Sequence, residues 1–179
     1  MFSYSFANKI ASWLISEIAD GCEKVQLVGS LRRGRRSVND IDIVAIPKII
    51  DGKDDSLFGN PVKENLLDKK LSHLCLEASL ILESNGPKIK KFSKLVRGVP
   101  VPIDLYIASE ATWWTLLLIR TGSREHNIFL AKRAIDLHMQ LKADGSGLLT
   151  PGGTLLQITS EQEIYQHLRL AYRSPDERS

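Results

Sequence analysis

Asp40 and Asp42 stand two positions apart in Asp40-Ile41-Asp42-Ile43-Val44-Ala45-Ile46, a run whose branched residues suit a strand with both faces covered. Residues i and i+2 of a strand leave the same face, about 6.6 Å apart along the chain. Ile41 and Ile43 then point the other way. Two acids so placed repel each other and lose solvation unless a divalent cation or a basic side chain neutralises them. A hard cation with oxygen ligands answers both problems. A third carboxylate, Asp104, interrupts the apolar run Pro102-Ile103-Asp104-Leu105-Tyr106. Three carboxylates converging from two strands can hold two divalent cations about 3.5–4 Å apart, one acidifying an attacking hydroxyl and one gripping a leaving phosphate. An isolated Asp-x-Asp is more often a solvated pair on an exposed strand, and a lone Asp104 an edge residue facing water. The surroundings of these acids reverse those odds.

About ten residues upstream, Lys24 to Val28 reads as a short apolar strand ending in Gly29-Ser30, and Leu31 to Arg36 as a basic helical turn. At such a strand-to-helix junction, backbone N–H groups and a hydroxyl can hold phosphate oxygens. Arg32, Arg33, Arg35 and Arg36 crowd the same place. A Gly-Ser turn or an arginine cluster alone says little; beside paired acids they point to phosphoryl transfer.

Gly29-Ser30-Leu31-Arg32-Arg33-Gly34, followed by Asp40-Ile41-Asp42, resembles the signature of the family X (polymerase beta-like) DNA polymerases and of the wider nucleotidyltransferase superfamily. Thr121-Gly122-Ser123 with Asn127 resembles the family's nucleotide-pocket motif, and Tyr172 to Arg178 its C-terminal signature. The resemblance covers most of the chain after Val25. It implies that Gly29, Ser30 and Arg33 hold the triphosphate and that Asp40 and Asp42 bridge two Mg²⁺, with Mn²⁺ able to substitute. Asp104 would bind the catalytic metal and help deprotonate a primer hydroxyl. Gly122 and Ser123 would shape the sugar and base pocket, and Asn127 would reach the minor-groove edge of the incoming nucleotide, where polar positions vary little with sequence. Two departures stand out. Ile119-Arg120 replaces the aromatic pair that usually precedes Thr-Gly-Ser, which leaves ribonucleotide incorporation open. Ile128 and Ala131 stand where basic residues contact template, with Lys132 and Arg133 slightly displaced.

The elements that must position these residues follow from periodicity. Phe6, Ile10, Trp13, Leu14 and Ile18 predict a helix over 5–19, with Asp20-Gly21 as its stop. Residues 49–61 read as a loop, 64–83 as a helix striped with Leu67, Leu71, Leu74 and Leu80, and 89–96 and 101–107 as a hairpin through Arg97-Gly98-Val99-Pro100. That makes four sheet strands. Helices follow over 110–119 and 123–141, then a Gly/Pro-rich segment and a last helix with a capping box of Ser160 and Glu163. The composition shift near Ala108 divides the chain into two parts of an α+β fold. The resemblance implies that residues 1–108 are a nucleotidyltransferase palm, a mixed or antiparallel sheet flanked by helices, and residues 109–179 a small, mainly helical C-terminal lobe for nucleotide and DNA.

The bulk numbers narrow the setting. The chain has 179 residues, 43% of them hydrophobic, enough for one domain or two lobes sharing a core. Its 24 Lys+Arg against 21 Asp+Glu make a mild basic excess that by itself is weak evidence for nucleic acid. Cys22 and Cys75 belong to no CxxC pair, so they read as buried thiols rather than a disulfide or zinc site. No apolar run is long enough to span a bilayer, and no secretion signal opens the chain. The expected setting is soluble and intracellular, in cytoplasm, nucleoid or nucleus, with no membrane partner and a monomeric state.

Other residues have plainer readings. Of Trp113 and Trp114, at least one belongs to the core. His73, His126, His138 and His167 show no ligand spacing and default to surface or helix-face positions, with one reservation for His126, which adjoins Asn127. Arg120, Arg124, Lys132, Arg133, Lys142, Arg169, Arg173 and Arg178 could line a phosphate-tracking face. The expected activity is template-directed DNA polymerisation on primer–template or gapped DNA from nucleoside triphosphates, filling short repair gaps. With only 28 residues before Gly29, no lyase domain is expected. The alternatives are a template-independent nucleotidyltransferase acting on RNA, protein or a small molecule, and a silent nucleic-acid-binding module.

Overall fold

The structure is a computed structural model and describes residues 1–52 and 63–178. After the two-residue strand β1 (Phe2–Ser3), Ser3 caps helix α1 (Tyr4–Ile18) by accepting from Phe6 N–H at 3.3 Å. Ala7, Ile10, Ala11, Leu14 and Ile18 form its buried stripe. Strand β2 (Cys22–Leu27) leads into the single turn α2 (Gly29–Arg32), shorter than the basic turn expected over 31–36. Strand β3 (Ser37–Val38) pairs back on β1, and β4 (Ile41–Pro47) begins one residue after Asp40.

The expected loop over 49–61 is only partly a loop. Ile49–Asp51 is strand β5, paired antiparallel with β6 (Lys63–Asn65); residues 53–62 lie outside the described residues. Helix α3 (Leu66–Leu76) ends well short of Glu83. Ala78 adopts φ 53°, and the Leu74 carbonyl accepts from both Ser79 and Leu80 N–H groups, a left-handed stop that turns the chain out of the helix. Leu80 is buried from this connection rather than from a helical stripe. The next element, β7 (Ile81–Asn85), is a fully exposed edge strand and gives the sheet a fifth member. The hairpin is β8 (Ile89–Val96) and β9 (Val99–Ile107). Its two-residue turn, Arg97-Gly98, has φ 52° and 79°, the left-handed pair that matches strand twist.

Helix α4 (Trp113–Thr121) and helix α5 (Arg124–Asp136) come after the sheet. The latter stops five residues earlier than the periodicity suggests, because His138 turns to φ 57° and Gln140–Leu141 becomes β10, paired with β11 (Leu148–Leu149). Helix α6 (Glu161–His167) starts at Ser160, whose hydroxyl accepts from Glu163 N–H at 3.1 Å. The return half of the expected capping box is shifted by one residue. The Glu163 carboxylate accepts from Thr159 N–H at 2.6 Å rather than from Ser160.

The sheet order is β2-β4-β9-β8-β7, with β4 and β9 parallel and the other pairs antiparallel. Strand alternation sorts the central residues cleanly. Ile41, Ile43, Ala45, Ile103 and Leu105 are buried against α1 and α3. Val44 and Ile46 go to the other face, under Trp113, Leu116 and Leu117 of α4. Asp42 and Asp104 share that second face, toward the Arg120 end of α4. Further along, α4 changes allegiance: Leu118 and Ile119 join Leu130, Ala134, Leu148, Ile164 and Tyr165 in the C-terminal core. The molecule is thus an α+β fold, a five-stranded mixed sheet flanked by helices with a small, mainly helical C-terminal region. Both cysteines are half-buried free thiols, and Trp113 is in the core as expected.

Because α4 serves both cores, Leu117→Ala and Leu118→Ala should each cost about 2–5 kcal/mol and displace one common urea transition seen by fluorescence and circular dichroism. Two separated transitions would contradict a shared helix.

Candidate active site

The register of the parallel pair sets Asp42 directly opposite Asp104. Asp42 is largely buried, and its carboxyl is pushed up from 3.8 to about 7 by burial first, then by the charges of Asp40 and Asp104. A hydrogen bond from Tyr106 and the charge of Arg120 work in the opposite direction without cancelling the shift. Asp104 is held from two sides: Lys91 Nζ lies 3.2 Å from its Oδ2, and the Tyr106 hydroxyl donates to the same oxygen at 3.4 Å. Burial, followed by the charge of Asp42, holds the Tyr106 hydroxyl well above its usual range, so it keeps its proton. Over the Tyr106 ring sits the Arg120 guanidinium, its carbon 4.2 Å from the ring centroid.

The Gly29-Ser30 turn is pressed against these acids. Gly29 has φ 65°, and a Cβ there would collide with Asp42 Oδ2, so no other residue fits. Ser30 Oγ is buried without a hydrogen-bond partner among the described residues. Together with Arg33, Asp40, Asp42, Arg120 and Gly122, these two residues line an open cavity of about 360 Å³. A second cavity, of about 250 Å³, meets it at Tyr106 and Arg120 and contains Asp104, Lys88 and Lys91.

Arg33 is committed to the C-terminal region: its Nη1 donates to the Thr121 carbonyl at 2.5 Å and to the Gly122 carbonyl at 3.3 Å. Its neighbour Arg32 donates to Thr121 Oγ1 at 2.6 Å and makes a two-pronged pair with Glu161, at 3.0 and 2.7 Å. Glu161 also accepts from Arg178 Nη1 at 2.7 Å. Arg178 is completely buried; it belongs to no phosphate-tracking surface, and its carbonyl accepts from Ser123 N–H. Burial alone would raise the Glu161 carboxyl, but hydrogen bonds from Arg32 and Arg178 outweigh it and hold the group ionised below its ordinary value.

Ser123 caps α5, its hydroxyl accepting from His126 N–H at 3.1 Å. Asn127 turns inward, with Nδ2 donating to the Ile119 carbonyl at 2.7 Å. A Cβ on Gly122 would meet Asn127 Oδ1 at 2.5 Å and His126 Nδ1 at 2.7 Å. His126 departs from the expected surface position: it is 3% exposed, with Nε2 2.9 Å from the Tyr165 hydroxyl. Lys132 is exposed, whereas Arg133 ties α5 to the end of α6 through the Leu168 carbonyl at 2.9 Å. Arg120 lies within the site, stacked on Tyr106.

The register brings Asp42 and Asp104 together on one sheet face, with Asp40 just before β4 and its charge acting on Asp42. Carboxylate oxygens are the donor type that hard cations take. Among the described residues, no three His, Cys, Asp or Glu side chains stand close enough to hold a metal ion as they are, and Asp104 is paired with Lys91 instead. Lys91, Tyr106, Glu161 and His126 are the participants that motif reading missed. Two of them carried a signal: Tyr106, two positions after Asp104 on the same strand face, and His126, which adjoins Asn127.

The fold is consistent with the nucleotidyltransferase class. Comparison with protein families adds a more particular statement: residues 116–179 match the DNA polymerase beta thumb family. This likeness to a polymerase beta-like chain is confined to the C-terminal part. Comparison with curated proteins gave no match. No helix among the described residues is long and apolar enough to cross a membrane.

Gly29→Ala should displace Asp42 or the α2 turn and shift the backbone amide resonances of residues 28–31 and 42; an unperturbed spectrum would refute the contact. The raised Asp42 carboxyl has a sign for stability. The folded chain retains a proton that the unfolded chain releases between about pH 4 and pH 7, so in a chelated buffer stability falls as pH rises through that window. Asp42→Asn should flatten that slope in urea midpoints. Glu161→Gln leaves two guanidiniums without their carboxylate, one of them fully buried, and should destabilise by about 3–5 kcal/mol, read from the same unfolding curves.

Proposed function

We propose that this chain is a metal-dependent nucleotidyltransferase that adds nucleotides to a primer 3′ end, a template-directed DNA polymerase of the family X kind suited to short gap filling in repair. The observation that carries the reading is the placement of Asp42 in register with Asp104, beside Asp40 and under the Gly29-Ser30 turn, next to a region matching a polymerase thumb. In this reading residues 1–108 are the palm. Residues 109–179 hold nucleotide and DNA, and the chain works as a soluble intracellular monomer.

Asp40, Asp42 and Asp104 would hold two Mg²⁺, with Mn²⁺ as a substitute. The chemistry such ions supply when bound is charge for in-line attack of a hydroxyl on an α-phosphorus and for departure of pyrophosphate. The chain's own residues do the rest. Ser30, whose buried hydroxyl lacks a partner among the described residues, and Arg33 beside it face the cavity where a triphosphate would sit. Tyr106 orients Asp104 through its hydroxyl, and Asp104 takes the proton of the attacking hydroxyl. Lys91 supplies the counter-charge of Asp104 before substrate arrives. Arg120, held flat on Tyr106 between the two cavities, offers its guanidinium to substrate phosphate, and the exposed Lys132 is a candidate DNA contact. Positioning and electrostatics then account for most of the rate, and no covalent enzyme intermediate is required.

A second reading, transfer to an acceptor without a template, draws on Asn127. Its amide is engaged by the Ile119 carbonyl and not presented to a base pair.

Primer extension in Mg²⁺ on gapped and open template–primer DNA tests the first reading. Asp104→Ala should lower kcat/KM on the order of a thousandfold, and undiminished extension would reject the site. Incorporation indifferent to the template base would transfer support to the second reading.

A further inference from the structure

The residues around Gly122 contain a polar arrangement that the phosphoryl-transfer chemistry does not use. His126 and Asn127 are consecutive residues in the first turn of α5, and two of their atoms, Nδ1 and Oδ1, are buried without a hydrogen-bond partner among the described residues. Leaving such atoms unsatisfied is costly. Both face one point. The position that a Cβ on Gly122 would take is 2.7 Å from His126 Nδ1 and 2.5 Å from Asn127 Oδ1. The other end of each side chain is already engaged: Nε2 with the Tyr165 hydroxyl at 2.9 Å, and Nδ2 with the Ile119 carbonyl at 2.7 Å.

We propose that His126 is a positioning residue whose Nδ1–H donates to the Asn127 carboxamide oxygen, completing a chain from Tyr165 through His126 and Asn127 to the Ile119 carbonyl that fixes the Thr121-Gly122-Ser123 turn. The chemistry of the partners sets the direction of each bond. The Ile119 carbonyl only accepts, so the Asn127 NH₂ faces it and the carboxamide oxygen faces Gly122. That oxygen also only accepts, so its imidazole neighbour must carry the proton on Nδ1. Nε2 is then the acceptor of the Tyr165 O–H, which keeps its proton because burial pushes its pKa up to about 12. The ring stays neutral, as the chain of bonds requires. Burial, then the charges of Arg178 and Arg173, hold its pKa down to about 4.

The turn so fixed is the one whose carbonyls anchor Arg33 at the edge of the cavity containing Asp40 and Asp42. Absence of a side chain at Gly122 makes room for the two polar atoms, so the glycine and the His126–Asn127 pair form one unit. The consequence for nucleotide rests on the polymerase reading above; the hydrogen-bond chain itself does not.

Two measurements keep these apart. Long-range ¹⁵N–¹H correlation spectra of the full chain should show His126 as the Nδ1–H tautomer, and in His126→Phe the Asn127 side-chain amide protons should exchange faster. An Nε2–H tautomer, or Asn127 amide signals unchanged in His126→Phe, would overturn the proposal whether or not the chain binds nucleotide. In Mg²⁺-dependent extension, His126→Phe should raise KM for the nucleoside triphosphate about tenfold with kcat within about twofold. His126→Asn, whose amide can take the place of Nδ1–H, should recover most of the loss. Equal KM in wild type and His126→Phe, or no difference between the Phe and Asn variants, would reject the link to nucleotide. Failure of wild type to turn over nucleotide would reject the polymerase reading and leave the spectra to decide the positioning role.

Discussion

Glu161, placed between Arg32 and Arg178 in a nearly water-free setting, is the interaction on which the relation between the two halves of the molecule depends. Taking three charges out of water is unfavourable, and the penalty is offset only when geometry is good and the remaining donors are satisfied. Here the carboxylate receives both prongs of Arg32 and one nitrogen of Arg178. Arg178 is further held by the Arg173 carbonyl. Arg32 belongs to the turn after β2, Glu161 opens α6 and Arg178 ends the described chain. The triad therefore ties together three segments that no local rule would bring near one another.

Its consequence reaches the acids. Arg32 and Arg33 grip Thr121 from two directions, one on its hydroxyl and one on its carbonyl. This holds the end of α4 against the Gly29-Ser30 turn. The same turn is wedged against Asp42, where only a glycine can stand. A buried structural ion cluster and a mutually repelling carboxylate group thus lie back to back. In the first every charge is paired. In the second, Asp40 and Asp104 add to burial in raising the Asp42 carboxyl, and Asp104 is paired with Lys91.

Much of the sheet was legible because its cause is local. Alternation in Asp40 to Ile46 set Ile41 and Ile43 on the face opposite the acids, and in the structure Ile41 and Ile43 are core residues while Asp42 lies on the other face. Capping chemistry located the start of α6. The boundaries that differ share another cause. At 79–83 and 137–141 the residues are compatible with helix, and what stops the helix is a left-handed residue at Ala78 or His138, neither of them a glycine. Each stop is held by hydrogen bonds back into its own helix, and the strand that follows pairs with the next strand along the chain, β8 or β11. The burial of His126 has a nonlocal origin: an imidazole has no fixed preference for core or surface, and its partner, Tyr165, lies far along the chain.

The sequence by itself determined the Asp40-x-Asp42 pair, a third acid in an apolar strand and the glycine turn upstream, since these follow from residue type and local pattern. Tertiary structure decided which of the acids carries the raised pKa, that Lys91 and Tyr106 attend Asp104, and which arginines serve the fold rather than substrate. Arg32 and Arg178 are engaged by Glu161, whereas Arg33 reaches the Thr121 turn from the cavity wall and Arg120 lies across an aromatic ring inside the site. The physical reason is that charge interactions depend on burial and on distance through space. Neither quantity is written in the order of residues.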